Sequence, residues 1–158
     1  MSSKTIALIR RYEDGPGDLI ASVDGLSDRD LDRRSAPKKW TIRQQVHHLA
    51  DAELNLVCRM KKIIAEDNPL LIAFDQTKWA DSLIYSVTDV ENSVALLYTL
   101  RASMTPILKN LKDRDFSRTG IHNENGKVTL MGILEHTVEH FEHHLSEIEK
   151  TKRRYKIK

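Results

Sequence analysis

Residues 40–51 read WTIRQQVHHLAD, and this stretch decides what kind of fold the chain adopts. Thr41, followed three residues later by Gln44, has the spacing of a capping box, which marks the start of a helix. Side chains that recur every three or four residues then predict one buried helical face with a single acid in it. The stripe consists of Ile42, Val46, Leu49, Glu53, Leu56, Met60 and Ile63. Asn68–Pro69 predicts that this helix ends at about Asp67.

The first and third helices are predicted from their start signals and their prolines. A Gly-Pro-Gly sequence reads as a break, so the first helix is predicted to begin at Pro16 or Asp18. The third helix is predicted to begin at Thr88, because Glu91 stands at the capping-box spacing from it. Pro106 inside this helix predicts a kink or a local break, since its ring removes one backbone hydrogen bond.

The fourth helix and the connectors complete the predicted architecture. An apolar stripe predicts a last long helix from Thr129 to about Arg153. Residues 68–87 and 113–128 form polar connectors that are long for a compact domain. Four amphipathic helices with two long crossover connections predict an all-α protein, a four-helix bundle that is not simply up-and-down. No segment requires a strand.

Length and composition bound the class of protein. The 158 residues predict one domain, 1–158, with a basic tail at 150–158 that is interpreted as a solvated helix end. Lys and Arg number 25 against 23 Asp and Glu, and the net charge of +2 gives no strong field. One cysteine excludes an internal disulfide, and neither a secretory signal nor a membrane-spanning run is visible. We therefore expect a cytoplasmic protein without nucleic-acid or membrane partners.

Seven histidines are unevenly placed, and three of them fall on helix flanks that border the predicted core. His140 and His144 are four residues apart, so their imidazoles stack on one face about 6 Å apart along the axis. On the second helix, His48 borders the core stripe, whereas His47 is predicted to face outward. If the second and fourth helices pack side by side, His48 joins the other two.

Three imidazoles brought together would form a metal site with an open coordination position. Such a position is typical of a catalytic metal, which lowers the pKa of a bound water or thiol enough to make a nucleophile near neutral pH. The alternative is that the histidines are ordinary core or surface residues that form hydrogen bonds. Spacing by itself does not decide between the two.

The same segments resemble a known family. Residues 40–51 resemble the W-[ST]-x-x-[EQ]-x-x-x-H-[LI]-A-D signature of the DinB-like superfamily, and residues 140–144 (HFEHH) resemble its C-terminal H-x-x-x-H element. The resemblance is closest to the YfiT-like branch, which has an E-D-x-P turn, a crossover tryptophan and an H-x-x-x-G-x-x-T-L segment. Here these features are residues 66–69 (EDNP), Trp79 and residues 122–130 (HNENGKVTL).

The resemblance implies a four-helix bundle in which three histidines hold one divalent metal, zinc or nickel, and it implies a homodimer. Matched position by position, the metal ligands are His48, His140 and His144. Members of the superfamily are described as metal-dependent hydrolases, as bacillithiol S-transferases and as a mycothiol-dependent maleylpyruvate isomerase. In the thiol-dependent members, the metal would present the thiolate to an electrophile.

Three functions are therefore open. The first is a metal-dependent transferase that moves a low-molecular-weight, bacillithiol-type thiol to an electrophilic small-molecule substrate. The second is a hydrolase in which the same metal activates water. The third is a metal-bound stress-response or binding module without turnover. Polar groups that converge on the open face of the metal would separate the first two functions from the third.

Two further residues are candidates for catalytic roles. Glu53 lies on the core stripe, where a buried carboxylate needs a partner. It is either a base or support beside the metal, or half of a structural ion pair to the first or third helix. His122, in the connector before the fourth helix, either approaches the open metal face or is a surface loop residue. Asp51 is expected to point outward, to cap a neighbouring loop, or to orient an imidazole.

The remaining candidates concern the walls of a pocket. Trp40 and Trp79 are candidates for lining a substrate pocket, although Trp40 is also placed to pack as a staple before the second helix. Arg59 or Arg43 would supply a cationic wall for a thiol. Cys58 faces away from the metal side of its helix and is not expected to be a nucleophile.

Overall fold

The computed structural model describes residues 1–157 and is built mainly of helices. Four helices are long and two are short, and the connectors contain three short strands. The helices are α1 (Ser3–Val23), α2 (Asp28–Leu31), α3 (Ile42–Ala65), α4 (Gln76–Ser82), α5 (Glu91–Asn110) and α6 (Leu130–Tyr155). The strands are β1 (Leu70–Leu71), β2 (Thr119–His122) and β3 (Gly126–Thr129), and a 3-10 helix covers Asp113–Ser117.

The four long helices form a bundle with two diagonal connections. Helices α5 and α6 each pack against both α1 and α3, so α1 and α3 occupy opposite corners. The chain therefore crosses one diagonal between α1 and α3 and the other between α5 and α6. Two clusters of buried apolar side chains fill the interior. The predicted four-helix bundle with long crossover connections is confirmed.

Helix α3 begins where the sequence predicts. Thr41 accepts a hydrogen bond from the backbone N–H of Gln44, and the Gln44 side chain accepts one from the N–H of Thr41. The helix ends at Ala65, two residues before the predicted limit. Helix α6 is also close to its prediction, since the hydroxyl of Thr129 caps its first turn.

The prediction that the first helix begins at Pro16 or Asp18 is wrong. Helix α1 begins at Ser3 and continues through Pro16. The side chain of Ser2 caps its N-terminus. The proline has no N–H to donate to the carbonyl of Tyr12, one turn earlier. The guanidinium of Arg101 donates to that carbonyl instead, at 3.0 Å. The N-terminal half of α1 also buries apolar side chains in the core, and this burial favours the longer helix.

The start of α5 also differs from the prediction. The helix begins at Glu91, and its N-cap residue is Val90, whose side chain has no hydrogen-bond acceptor. The Thr88 hydroxyl instead lies 3.0 Å from Nε2 of His47. Helix α5 continues past Pro106 to Asn110. The local break predicted at Pro106 is therefore not found in α5.

The expectation that no strand is needed is wrong for the two connectors. Strand β1 pairs with β2 in parallel, and β2 pairs with β3 in antiparallel orientation. Gly126, with a φ of 69°, makes the turn between β2 and β3. Strands of two to four residues are too short to show a readable alternation of polar and apolar residues. The sheet joins the connector after α3 to the connector before α6.

The basic tail is mostly the last turns of α6. Lys152 donates to the carbonyl of Ser22, and Arg154 donates to the carbonyl of Ser35, so two of its cations are engaged with the bundle. Lys158 lies outside the described residues. None of the helices within residues 1–157 is both long and apolar enough to cross a membrane.

Replacement of Gly15 tests the close packing of α1 against Arg101. A Cβ atom at Gly15 would lie 2.5 Å from a terminal nitrogen of Arg101 and 3.0 Å from the ring of Phe141. Gly15→Ala should therefore lower the free energy of unfolding by about 1–3 kcal/mol in urea denaturation. Gly17→Ala, in the same helix, meets nothing within 4 Å and should raise it by about 0.5–1 kcal/mol. If both replacements changed the free energy of unfolding equally, Arg101 would have moved aside without loss of stability, and the predicted close packing would be contradicted.

Candidate metal centre

Three histidines from two helices meet at one point. One nitrogen from each of His48, His140 and His144 lies within 4.8 Å of the other two. The Nε2 atoms of His48 and His140 are 3.0 Å apart. The ring centroids of His140 and His144 are 4.6 Å apart, as expected for residues one turn apart on α6. The structure thus brings together the three residues that the sequence pointed to.

A glutamine that the sequence reasoning did not assign orients one of these rings. Nδ1 of His144 lies 2.6 Å from Oε1 of Gln45, so the imidazole donates from Nδ1 and keeps Nε2 free of a proton. Gln45 is three residues before His48 and lies on the same flank of α3. This spacing was the sequence signal that could have identified Gln45 as a neighbour of the cluster. Nδ1 of His48 is buried and finds no partner among residues 1–157.

Burial keeps the three imidazoles neutral. It is the main cause that lowers the pKa of His48 to about 3, of His140 to about 4 and of His144 to about 2. Positive charge on neighbouring histidines lowers each pKa further, and Arg101 contributes for His140. A neutral imidazole has the lone pair that a metal needs, so these rings are in the ligating form at neutral pH.

Aromatic rings enclose the cluster. The ring of Trp40 lies 4.7 Å from that of His48 and is stacked on His144 at 6.1 Å. The ring of Phe74 lies 6.4 Å from that of His48, and the ring of Trp79 lies 4.8 Å from that of Phe74. Both tryptophans thus belong to the aromatic surroundings of the cluster, Trp79 through Phe74. Phe74 lies in an irregular connector, where no repeating pattern of apolar residues could have predicted its place near the cluster.

His47 is buried, so the prediction that it faces outward is wrong. It is 5% exposed and is covered by the segment that leads into α5. Its Nδ1 lies 2.8 Å from the hydroxyl of Ser93, and its Nε2 lies 3.1 Å from the carbonyl oxygen of Thr88. These contacts attach the connector to α3. Asp51 also attaches this connector to α3, because it accepts a hydrogen bond from the hydroxyl of Tyr85. Of the roles expected for Asp51, the capping of a neighbouring loop matches this contact.

Glu53 forms a buried ion pair with Arg101. Its Oε2 accepts hydrogen bonds from Nε and Nη2 of Arg101 at 2.9 and 2.8 Å, and its Oε1 accepts one from the hydroxyl of Tyr12 at 2.7 Å. Arg101 also lies over the rings of Tyr12 and Phe141, at 4.6 and 4.2 Å. Of the two interpretations of Glu53, the structural ion pair to the first and third long helices matches these contacts.

His122 is buried at the end of β2 and is not a surface loop residue. Its Nδ1 accepts from the backbone N–H groups of Glu124 and Asn125, both at 3.3 Å. Burial, together with the positive charge of Arg59, lowers the pKa of His122. These contacts place His122 beside Arg59, in the sheet that joins the two connectors.

The remaining candidates lie as follows. Arg43 is paired with Asp32 and Asp28 and donates to the carbonyl of Thr88, so its donors are engaged outside the histidine cluster. Arg59 donates to the carbonyl of Ile72. Cys58 is exposed.

The sequence model of a known protein family matches residues 11–148, which include all three histidines of the cluster. The chain belongs to the DinB superfamily. Within this superfamily, it is 33% identical over 147 residues to the "Putative metal-dependent hydrolase YfiT" of Bacillus subtilis, covering 92% of this chain and 83% of that protein. A similarly named protein of Oceanobacillus iheyensis is 33% identical over 140 residues, covering 89% and 81%.

The DinB-superfamily fold is also seen in a solved structure. The structure of YfiT from Bacillus subtilis matches with a TM-score of 0.94 at 31% identity, covering all of this chain and 91% of that one. That protein is described as "a probable metal-dependent hydrolase with an unusual four-helix bundle topology". At this TM-score the two proteins share the same fold, a four-helix bundle.

Removal of Arg101 tests whether the ion pair supports the bundle. Arg101→Met leaves the Glu53 carboxylate buried without its cation, and should lower the free energy of unfolding by about 3–5 kcal/mol. The matched control is Arg11→Met, which breaks an exposed pair with Glu142 and should cost about 1 kcal/mol or less. Both are measured by urea denaturation. A similar small cost for the two variants would contradict the supporting role of Arg101.

Proposed function

We propose that this protein is a metal-dependent enzyme that transfers a low-molecular-weight thiol, of the bacillithiol type, to an electrophilic small molecule. The observation that carries this proposal is the cluster of His48, His140 and His144, three neutral imidazoles that converge without a fourth protein ligand among the described residues. A set of three ligands leaves a divalent metal with an open position, which is the arrangement of catalytic sites.

The residues fit a divalent metal by their chemistry. Three imidazole nitrogens suit zinc or nickel, and one metal per chain is expected. Gln45 fixes the tautomer of His144 and so directs its Nε2 toward the other two rings. When bound, such a metal lowers the pKa of a thiol or a water at its open position and so supplies a nucleophile near neutral pH.

The surroundings of the cluster favour a thiol over water as the nucleophile. Metal-dependent hydrolases commonly use a carboxylate as general base beside the metal. Here the nearby carboxylates on α3 are engaged elsewhere, Glu53 by Arg101 and Asp51 by Tyr85. A thiol has a pKa far below that of water, so it ionises without a dedicated base.

The proposed thiol transfer forms one bond to sulfur and breaks one bond to the leaving group. The thiol loses its proton to solvent, and the thiolate sulfur forms a bond to the electrophilic carbon. The bond between that carbon and its leaving group breaks, and the leaving group departs with the electron pair. The aromatic side chains of Trp40 and Phe74 would exclude water from the reacting sulfur and so limit competing hydrolysis.

A hydrolase is the second candidate, and one observation favours it. The relatives at 33% identity carry metal-dependent hydrolase in their names. In this alternative, the same three histidines hold the metal, and water takes the open position.

The same proposal includes a homodimer located in the cytoplasm, with the chain folding as one domain. Several large apolar side chains are exposed around the connector before α5, and a second copy would cover part of them. They include Ile84, Val87 and Tyr98, which are 57%, 73% and 55% exposed.

Metal content tests the ligand set. Elemental analysis of the purified wild type should find about one zinc or nickel per chain. His48→Ala, His140→Ala and His144→Ala should each lose most of it, because two imidazoles hold the metal too weakly. His143→Ala is the matched control, since His143 is exposed beside His144 and should leave the content unchanged. A folded wild type that takes up neither metal would remove the proposed chemistry.

A thiol-dependence assay separates the transferase from the hydrolase. Metal-loaded protein should accelerate the reaction of bacillithiol or cysteine with monobromobimane, with the product measured by fluorescence. The acceleration should vanish in His144→Ala and persist in His143→Ala. Thiol-independent hydrolysis of an aryl ester, lost in the same variant, would instead favour the hydrolase.

A further inference from the structure

A small cavity lies one helical turn from the histidine cluster along α6, and none of the three clustered histidines lines it. It has a volume of about 260 Å³ and lies between α3, the turn after β2 and the first turns of α6. Its polar lining includes Arg59, His122 and His136. The cavity is therefore bordered by one cation and two imidazoles.

Arg59 is a cation with unused hydrogen-bonding capacity. A guanidinium carries five N–H donors. One terminal nitrogen of Arg59 donates to the carbonyl of Ile72 at 2.6 Å, and its Nε is buried without an acceptor in the described part of the chain. A buried charged donor without an acceptor costs free energy. An anion in the cavity would supply the acceptor that this side chain lacks.

His122 adds a donor of defined direction. Because its Nδ1 accepts from two backbone N–H groups, a neutral ring carries its proton on Nε2. The ring lines the cavity, and it is held in place by the turn between β2 and β3. A fixed donor next to a guanidinium is the pairing that recognises a carboxylate oxygen.

The cavity adjoins the cluster through α6. His136, on the cavity wall, is one turn before His140, and their ring centroids are 5.7 Å apart. Along α3, Arg59 lies three turns after His48. Gln45 contacts His144 and His48 contacts His140, so α3 and α6 are antiparallel, and both helices place the cavity on the same side of the cluster. A small molecule with a nucleophile at one end and an anion at the other would extend along this direction.

We propose that Arg59 and His122 form a subsite for a carboxylate on the thiol that the enzyme uses. This inference rests on the proposed function, because the sulfur end of the same molecule would lie at the histidine cluster. The charge of Glu124 acts on both residues, but Glu124 accepts no hydrogen bond from Arg59 in the described part of the chain, so the guanidinium still lacks an acceptor. The volume of the cavity is sufficient for a carboxylate and the atoms adjacent to it.

Two thiols of equal length test the subsite. Cobalt(II)-loaded protein is titrated with mercaptohexanoate and with mercaptohexanol, and the thiolate-to-cobalt absorption band gives the dissociation constant of each. The six-carbon chain is too long to favour closure of a chelate ring on the metal. In the wild type, the carboxylate should bind about tenfold more tightly than the alcohol, because it gains charge-assisted hydrogen bonds.

Variants identify the side chain that is responsible. Arg59→Gln should remove the advantage of the carboxylate and leave the affinity for mercaptohexanol unchanged. Lys61→Gln is the matched control, since it removes an exposed cation from the same helix and should preserve the advantage. His122→Asn should reduce the advantage only in part, because Arg59 remains.

The titrations distinguish a failure of the proposed subsite from a failure of the proposed thiol chemistry. If neither thiol produces the absorption band, the thiol chemistry at the cluster is overturned, and the subsite with it. If both thiols bind equally in the wild type, the subsite alone is overturned, and this comparison does not depend on whether any variant folds. An advantage that survives Arg59→Gln would also overturn it.

Discussion

The arrangement of the bundle depends on the guanidinium of Arg101, which is buried and connects the four long helices. From α5, it pairs with Glu53 on α3, donates to the carbonyl of Tyr12 on α1, and lies against Phe141 on α6. The carbonyl is available because Pro16 has no N–H to offer it. A buried cation that lost these partners would destabilise the protein strongly, so the helices keep this relative placement.

The same placement brings the histidines together. Phe141 directly follows His140, so its contact with Arg101 restrains the rotation and height of α6. Glu53 lies on the same helix as His48, and its ion pair restrains α3 in the same way. A shift of one helical turn, about 5.4 Å, would separate the imidazoles beyond the reach of a common metal. The ion pair therefore supports the site without contributing a ligand.

The connectors give the cluster its chemical surroundings. The three-stranded sheet joins two connectors that are remote in sequence, and it places Phe74 near the cluster and His122 beside Arg59. The carboxylates on α3 are held by Arg101 and by Tyr85, so imidazoles and aromatic rings dominate around the three histidines. Such a site suits a soft nucleophile that ionises easily, and the neighbouring cation suits an anionic group on the molecule that carries it.

The features that could be predicted from the sequence are those that depend on neighbours three or four residues apart. These are the start of α3 at Thr41, the apolar stripes of the long helices, and the shared face of the two histidines on α6. The tertiary structure decided the rest, because the partners come from distant parts of the chain. Helix α1 passes through Pro16, and the carbonyl of Tyr12 that the proline leaves without a donor accepts a hydrogen bond from Arg101, 89 residues away. His47 is buried by Thr88, and the strands pair between connectors, so local periodicity carries no signal for either.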